Sequence, residues 1–383
     1  MAGETRTPRV GGLRSRVSWI DGPLVTVILA SLGVIFVSGL IQVSFGDYTM
    51  TLPTTWRAVF DPVVWTNPQL FLRLFLGEGL GTDVARTLGI STAEVSLSRE
   101  SLVVWRIRMP RVIVAMFVGA NLAVSGAVFQ AVTRNELASP YILGVSSGAG
   151  LAILLTLVVY TGLSQLLPVI AALGGAAAFL LVYAIAWQGG TSPVRLVLAG
   201  VIVSTVFQSL QTGLFLVADD LGVVQTAIAW TTGSLTGVNW EEVRTAFPWT
   251  ILALTLSLIG SRQLNILLLG ERTARSLGMR VERTRFLLSG VAILAAATAI
   301  AVGGIISFAG LIVPHMVRQL VGSDYKRLMV GCLFVGPALL TVADVGARLG
   351  LPSGQVPVGI VTGLIGGPYF LYLMRRKSAL GDL

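Results

Sequence analysis

"RQLNILLLGERTARSLGMRVERTR" occupies positions 262–285 and carries six arginines. It is about two dozen residues long, enough to cross a bilayer, but far too polar to do so. Apolar windows of about 20 residues recur on both sides of it, so the segment reads as a break between membrane spans rather than as a span.

Composition agrees with that reading. Of the 383 residues, 54% are hydrophobic and 12% charged, against the charged fraction of about 25% usual for soluble domains. The expectation is an all-α polytopic membrane protein with about ten transmembrane helices. The expected spans are 24–43, 112–131, 141–160, 167–187, 196–217, 246–261, 286–302, 305–317, 328–343 and 356–374. Only Gly303 and Gly304 separate the seventh from the eighth, so one bent helix is an alternative there.

Basic residues orient the chain. With the N-terminus cytoplasmic, the inner segments hold 18 of the 27 lysines and arginines but only 7 of the 18 acidic residues. The positive-inside rule therefore favours an even number of spans with both termini cytoplasmic. The formal charge of +9 thus needs no nucleic acid, since it collects at loops facing anionic lipid or a cytoplasmic partner. The organisation expected is a basic tail over 1–23, a transmembrane domain over 24–376 and a short tail over 377–383. Within that domain, 44–111 is an extracytoplasmic loop at the membrane surface and 262–285 a cytoplasmic loop.

The first apolar stretch runs 20 residues without a small-x-small cleavage site and reads as an uncleaved anchor. A second outer segment, 224–242, carries Trp230 and Trp240, which suit an interfacial position. The single cysteine, Cys332, excludes an intrachain disulfide and any multi-cysteine metal site. Glycine is frequent, and Gly144 with Gly148, and Gly359 with Gly363 and Gly367, have the spacing that lets helices pack closely.

None of the ten spans contains Asp, Glu, Lys or Arg, which disfavours coupling by intramembrane titration, since ion-driven carriers often keep an ionisable residue or a polar broken helix there. His315 is expected to be a packed side chain rather than a ligand. No phosphate-binding Gly-x-x-x-x-Gly-Lys-Ser/Thr loop occurs, so any nucleotide belongs to a partner. Paired catalytic groups are also missing from the spans, against an intramembrane enzyme. The 262–285 segment divides at Gly270 and Gly278 into two potential short helices, with Leu277 and Met279 as an apolar tip among arginines. Residue chemistry alone leaves two readings open, a docking surface for a cytoplasmic protein or a solvated loop.

"ARSLGMRVERTR" (274–285) resembles the cytoplasmic coupling loop of the FecCD permease family, the membrane subunits of ABC importers for ferric siderophores, haem and vitamin B12. "WRIRMPR" (105–111), "GANLAVSGAVFQAVTRNELASPYILGVSSGAG" (119–150), "GGIISFAGLIVPHMVRQLVGSDYKR" (303–327) and "VPVGIVTGLIGGPYFLYLMRR" (356–376) resemble the same family. One departure is Glu136, where the family pattern has proline.

The resemblance implies a type II ABC importer permease of ten helices in a bacterial cytoplasmic membrane. Its partners would be a second permease subunit, identical or paralogous, two ABC ATPase subunits and an extracytoplasmic substrate-binding protein. Ala274, Leu277 and Gly278 would form the tip that docks into the ATPase, with Arg275 and Arg280 on its surface. Arg108, Arg111 and Arg348 would meet acidic residues of the binding protein; their other reading is interfacial snorkelling toward phosphates. Trp230 and Gly233 would lie on the translocation path or its gate, lined by uncharged residues of spans three, five and ten. Ferric siderophore leads as cargo, with haem or vitamin B12 behind it and a secondary carrier as the alternative class. No cofactor, resident metal or catalytic residue is implied.

Overall fold

The computed structural model describes residues 19–45, 48, 50–91, 95–218, 220–350 and 354–379, and every regular element among them is helical. The arginines from Arg6 to Arg16 and the end of the C-terminal tail lie outside the described residues. Helix α1 (Gly22–Ser44) opens the body, with Asp21 accepting the Leu24 N–H and Pro23 in the first turn. Five short helices follow: α2 (Leu52–Val59), α3 (Pro62–Thr66), α4 (Pro68–Leu76), α5 (Glu78–Thr87) and α6 (Arg99–Leu102). They form a cap joined through Val103–Arg108 to α7 (Met109–Thr133).

Beyond α7 come α8 (Val145–Val158), α9 (Leu167–Ala186), α10 (Pro193–Leu216) and α11 (Leu221–Thr232). The chain continues through α12 (Trp240–Leu268), α13 (Glu271–Ser276), α14 (Val281–Gly303), α15 (Ala309–Val321), α16 (Tyr325–Leu349) and α17 (Val358–Ala379). Each of the ten expected spans falls on one of α1, α7–α10, α12 and α14–α17. Among the described residues, seven helical stretches are long and apolar enough to cross a membrane. The other three expected spans fall on α8, α17 and the 13-residue α15.

Two expectations are refined, and the choice between two spans and one bent helix is settled. Helix α12 runs 29 residues, past Arg262 to Leu268; Leu264 and Leu267 are buried on its inner face and draw the helix onward. The polar loop is therefore shorter than 262–285. Spans seven and eight are two helices, because the chain extends through Ile305–Ser307 after Gly304 and turns at Phe308, φ 65°, before α15 begins. Helix α11 extends into the 224–242 segment as far as Thr232, and Trp240 opens α12.

Helix α7 is the hub, buried along most of its length and packed by α12, α14, α15 and α16. Small residues make this possible: a Cβ on Gly126 would overlap the backbone of Gly310, and one on Gly119 the backbone of Gly336. Without a hydrophobic effect inside lipid, such backbone approach and interhelical hydrogen bonds hold helices together. Asn121 donates to Thr250 Oγ1 (2.7 Å), Ser125 to Ala292 O (2.7 Å) and Gln42 to Thr341 O (2.8 Å). Of the glycines singled out by spacing, Gly148 packs on Gly174 and Ala178, and Gly359 on Thr232, whereas Gly363 and Gly367 face open space.

Candidate functional site at the two ends of the helical body

Helix α12 links two arginine-rich ends separated by its length, about 43 Å at 1.5 Å per residue. At its start, Trp240 Nε1 donates to Trp105 O (2.6 Å) and Arg244 to Leu74 O (2.9 Å), tying it to the cap. At its finish, Gly270, φ 96°, turns the chain into α13.

The cap end contains a basin. Pro110 lacks an N–H, and its ring crowds the preceding turn of a regular helix. The turn over Val103–Arg108 is widened to a π-helix, and Met109 N–H reaches back to Val104 O. Arg108 and Arg111 then sit on the inner face while Arg106 points out. Arg108 donates to Val43 O and Tyr48 O, and Arg348 to Gln42 O (2.7 Å) and Phe45 O (3.1 Å). Two guanidinium groups thus serve the carbonyls left over at the α1 C-terminus, where the helix dipole also favours cations.

Arg111 grips Asp344 through Nη2 (2.7 Å) and Nε (2.9 Å) and reaches Gln355 with Nη1 (2.5 Å). Arg348 Nε is 3.7 Å from Asp344 Oδ2, the oxygen that also accepts from Arg111 Nε. With Arg106, Thr236, Asn239 and Gln355, these arginines line a depression of about 430 Å³. The structure therefore brings Arg108, Arg111 and Arg348 together as its floor. All three are nearly buried and bonded within the chain, so freely snorkelling side chains they are not. Among the described residues, the floor sets one carboxylate, Asp344, against these three arginines.

The charge-free character of the expected spans holds for their cores, but the helices outrun those cores. Arg111 in α7 and Asp344 with Arg348 in α16 put a buried ion pair at the helix ends.

Trp230 and Gly233 lie at a three-way junction. Trp230 O accepts from Ile305 N–H (2.9 Å) in the α14–α15 break, and Gly233 O from Gly359 N–H (3.2 Å) at the start of α17. Gly233 has φ 73°, and a Cβ there would come within 2.5 Å of Ile306, so only glycine fits. Trp230 also borders a cavity of about 340 Å³ with Thr226, Ser234, Thr236, Glu242 and Gly304. The break beside it, from Gly304 to Phe308, holds Ile305, Ile306, Ser307 and Phe308 and no ionisable residue.

Nearby, α10 exposes Thr205, Gln208, Ser209 and Thr212 along one face. Gln208 reaches Tyr141 Oη at 3.2 Å. The hydroxyls of Thr205, Ser209 and Thr212 donate to carbonyls one turn back, so the Gln208 amide is the group that makes this face suit water or another subunit better than lipid.

At the opposite end, α13 forms one short knuckle instead of the two helices expected. Arg272, Arg275, Leu277, Gly278 and Arg280 are exposed, Leu277 at 62%. Ala274, expected at the tip, is instead fully buried with Leu267 and Val281, because its small side chain seats the knuckle on the body. Arg285 was counted only as a loop cation, yet it is 1% exposed and bonds Glu271 (2.7 Å) and Glu282 (3.0 Å). The i,i+3 spacing of Glu282 and Arg285 was the one local signal for it. His315 is packed as expected, with Nε2 2.9 Å from Gln319 and its ring against Tyr369 and Phe370. Glu136, at the departure from the family pattern, lies 3.5 Å from Arg318 and 3.7 Å from His315.

A family model described as the FecCD transport family matches residues 34–376. The chain belongs to the FecCD transport family. This FecCD chain is 40% identical over 283 residues to the Fe(3+)-citrate import system permease protein YfmD of Bacillus subtilis (strain 168), covering 74% of this chain and 84% of that protein. It is 42% identical over 270 residues to the Fe(3+) dicitrate transport system permease protein FecD of Escherichia coli (strain K12), covering 70% and 84%. A cobalamin import system permease, BtuC of Halobacterium salinarum, is 42% identical over 284 residues, covering 72% of this chain and 74% of that protein. Among solved structures, an inward-facing metal-chelate type ABC transporter superposes with a TM-score of 0.74 at 27% identity, over 92% of this chain and 99% of that one. The FecCD chain is thus a multi-pass membrane protein whose relatives are ABC importer permeases.

Proposed function

We propose that this FecCD protein is the permease subunit of an ATP-driven importer for a ferric siderophore, with the cap outside, the α13 knuckle inside and both termini cytoplasmic. The observation that carries the reading is the pairing, in one helical body, of a cationic basin at one end of α12 with an exposed apolar and basic knuckle at the other. A binding protein would present carboxylates to the basin. Because Arg108, Arg111 and Arg348 are held by internal bonds, they would act as a fixed positive floor that steers and registers the partner. Two ATPase subunits would receive Leu277, Gly278, Arg275 and Arg280, while Ala274 anchors the helix that presents them.

The cargo would pass between two permease copies, along the uncharged polar face of α10 and past Trp230 and Gly233. A wide path lined by hydroxyls and amides suits a bulky chelate that moves with its coordination shell intact. Iron–citrate permeases among the relatives favour ferric chelates as the cargo class over cobalamin or haem.

The test is reconstitution with the second permease, the ATPases and the binding protein in proteoliposomes. Ferric siderophore bound to the binding protein should stimulate ATP hydrolysis and enter the vesicles. Gly278→Trp and Leu277→Asp should each abolish that stimulation while leaving membrane insertion intact. Uptake without any ATPase, or full stimulation in both variants, would overturn the reading. Stimulation by cobalamin or haem instead of ferric siderophore would reassign the cargo.

A further inference from the structure

We propose that Arg285 is a positioning residue that transmits movement of α13 to α10 through Thr191, a link that rests on the coupling role assigned to the knuckle. Helix α13 packs on α12 and α14, whereas α10 packs chiefly on α8 and α9. Nothing in the chain order joins the knuckle to the polar-faced helix. Arg285 does so in space.

Its Nη2 donates to Glu271 Oε1 (2.7 Å), the first residue of α13, and its Nη1 to Glu282 Oε1 (3.0 Å) in the first turn of α14. The same Nη1 donates to Thr191 O (2.7 Å) and Thr191 Oγ1 (3.0 Å), 94 residues away in the chain. Glu282 closes the circuit by accepting the Thr191 N–H (3.0 Å) and O–H (2.7 Å) through Oε2. Thr191 is buried and directly precedes Ser192, the N-cap of α10.

The turn holding Thr191 belongs mechanically to α10. Arg195, in the first turn of that helix, donates to Gln188 Oε1 (2.6 Å) and Gly190 O (2.8 Å). The turn and helix are therefore stapled together, and any pull on Thr191 reaches α10 as a rigid element. A hydrogen-bonded chain thus runs from Glu271 through Arg285 and Thr191 to α10, the helix with the exposed Thr205, Gln208, Ser209 and Thr212 face. The buried Arg285 resists separation from Thr191 and the two carboxylates, because moving it away leaves its own charge and the buried Thr191 carbonyl without partners.

The test uses the complete transporter in proteoliposomes and reads cargo imported per ATP hydrolysed, alongside thermal stability. Thr191→Val keeps the side-chain shape but removes the hydroxyl, so it should fold and lower the ratio severalfold. Arg285→Gln should lower it about tenfold, in line with coupling effects of mutations along such networks, and Arg285→Lys should restore part of the loss. Hydrolysis in the absence of binding protein should stay at the wild-type rate in Thr191→Val. An unchanged ratio in Thr191→Val and Arg285→Gln overturns the proposal, as does a parallel fall of hydrolysis and import, which would mark a purely structural clamp. Gly278→Trp is run beside them: if it abolishes stimulation while the Thr191 and Arg285 variants keep a wild-type ratio, the knuckle reading stands and the Arg285 link falls. If Gly278→Trp and Leu277→Asp retain stimulation, the knuckle reading itself has failed.

Discussion

At the cap end, Arg108 and Arg348 point at the orphan carbonyls of α1 and Arg111 holds Asp344, and all three guanidinium groups border one depression. At the knuckle end, Arg285 is enclosed by two glutamates, and the positive charge that faces outward belongs to Arg272, Arg275, Arg280 and Arg283. Burial and net charge therefore combine differently at the two ends. In the basin, the same arginines hold the fold and line the depression. At the knuckle these tasks are divided, with Arg285 for the fold and exposed arginines for the surface. Electrostatic capture asks for a fixed field, which immobile arginines supply, whereas a docking lever needs side chains free to adapt.

Substitutions graded from the most enclosed to the most exposed arginine should break or sharpen this contrast. Arg111→Ala takes from the wholly buried Asp344 its hydrogen-bonded cation, leaving only Arg348 at 3.7 Å among the described residues, and should cost about 3–5 kcal/mol, read as a lowered melting temperature in detergent. Replacing the pair together, Arg111→Met with Asp344→Leu, should recover most of that loss; a double variant as unstable as the single one would deny the stranded-charge account. Arg348→Ala leaves the Gln42 and Phe45 carbonyls to find water and should cost less, about 1–3 kcal/mol.

Arg106→Glu, at the exposed rim, should leave stability alone and slow capture of the binding protein, with the difference shrinking as salt rises. Surface plasmon resonance at two ionic strengths would read this, and a salt-independent effect would count against steering. Arg275→Glu should be the mildest for the fold, within about 0.5 kcal/mol, since Arg275 is exposed and meets Glu271 only at 3.5 Å among the described residues. Its expected consequence is confined to ATPase stimulation; a large drop in melting temperature would show that the knuckle arginines are structural after all.

These outcomes bear on how far residues announce their roles. The ten apolar stretches were legible because each is a local property of about 20 residues, and each found its helix. The grouping of Arg108, Arg111 and Arg348 came from the family resemblance, and the structure brings them to one basin. Arg285 was misread because its role depends on Thr191. Ala274 was expected to point outward, but small size does not say which side of a turn a residue occupies; its neighbours Leu267 and Val281 decide that. Likewise, Gly303–Gly304 permits a bend or a break, and the choice falls to the Trp230 carbonyl that captures Ile305.

What the sequence determined by itself is the class of protein and the order of its spans, since transfer of a segment into hydrocarbon depends on the apolar length and charge of that segment alone. Only the tertiary structure decided which arginines are spent inside the body and which face a partner. That depends on hydrogen-bond acceptors brought from elsewhere in the chain, the carbonyls of α1 for Arg348 and the turn before α10 for Arg285. Electrostatic energy follows distance in space and local exclusion of water, and neither is written in the spacing of residues along the chain.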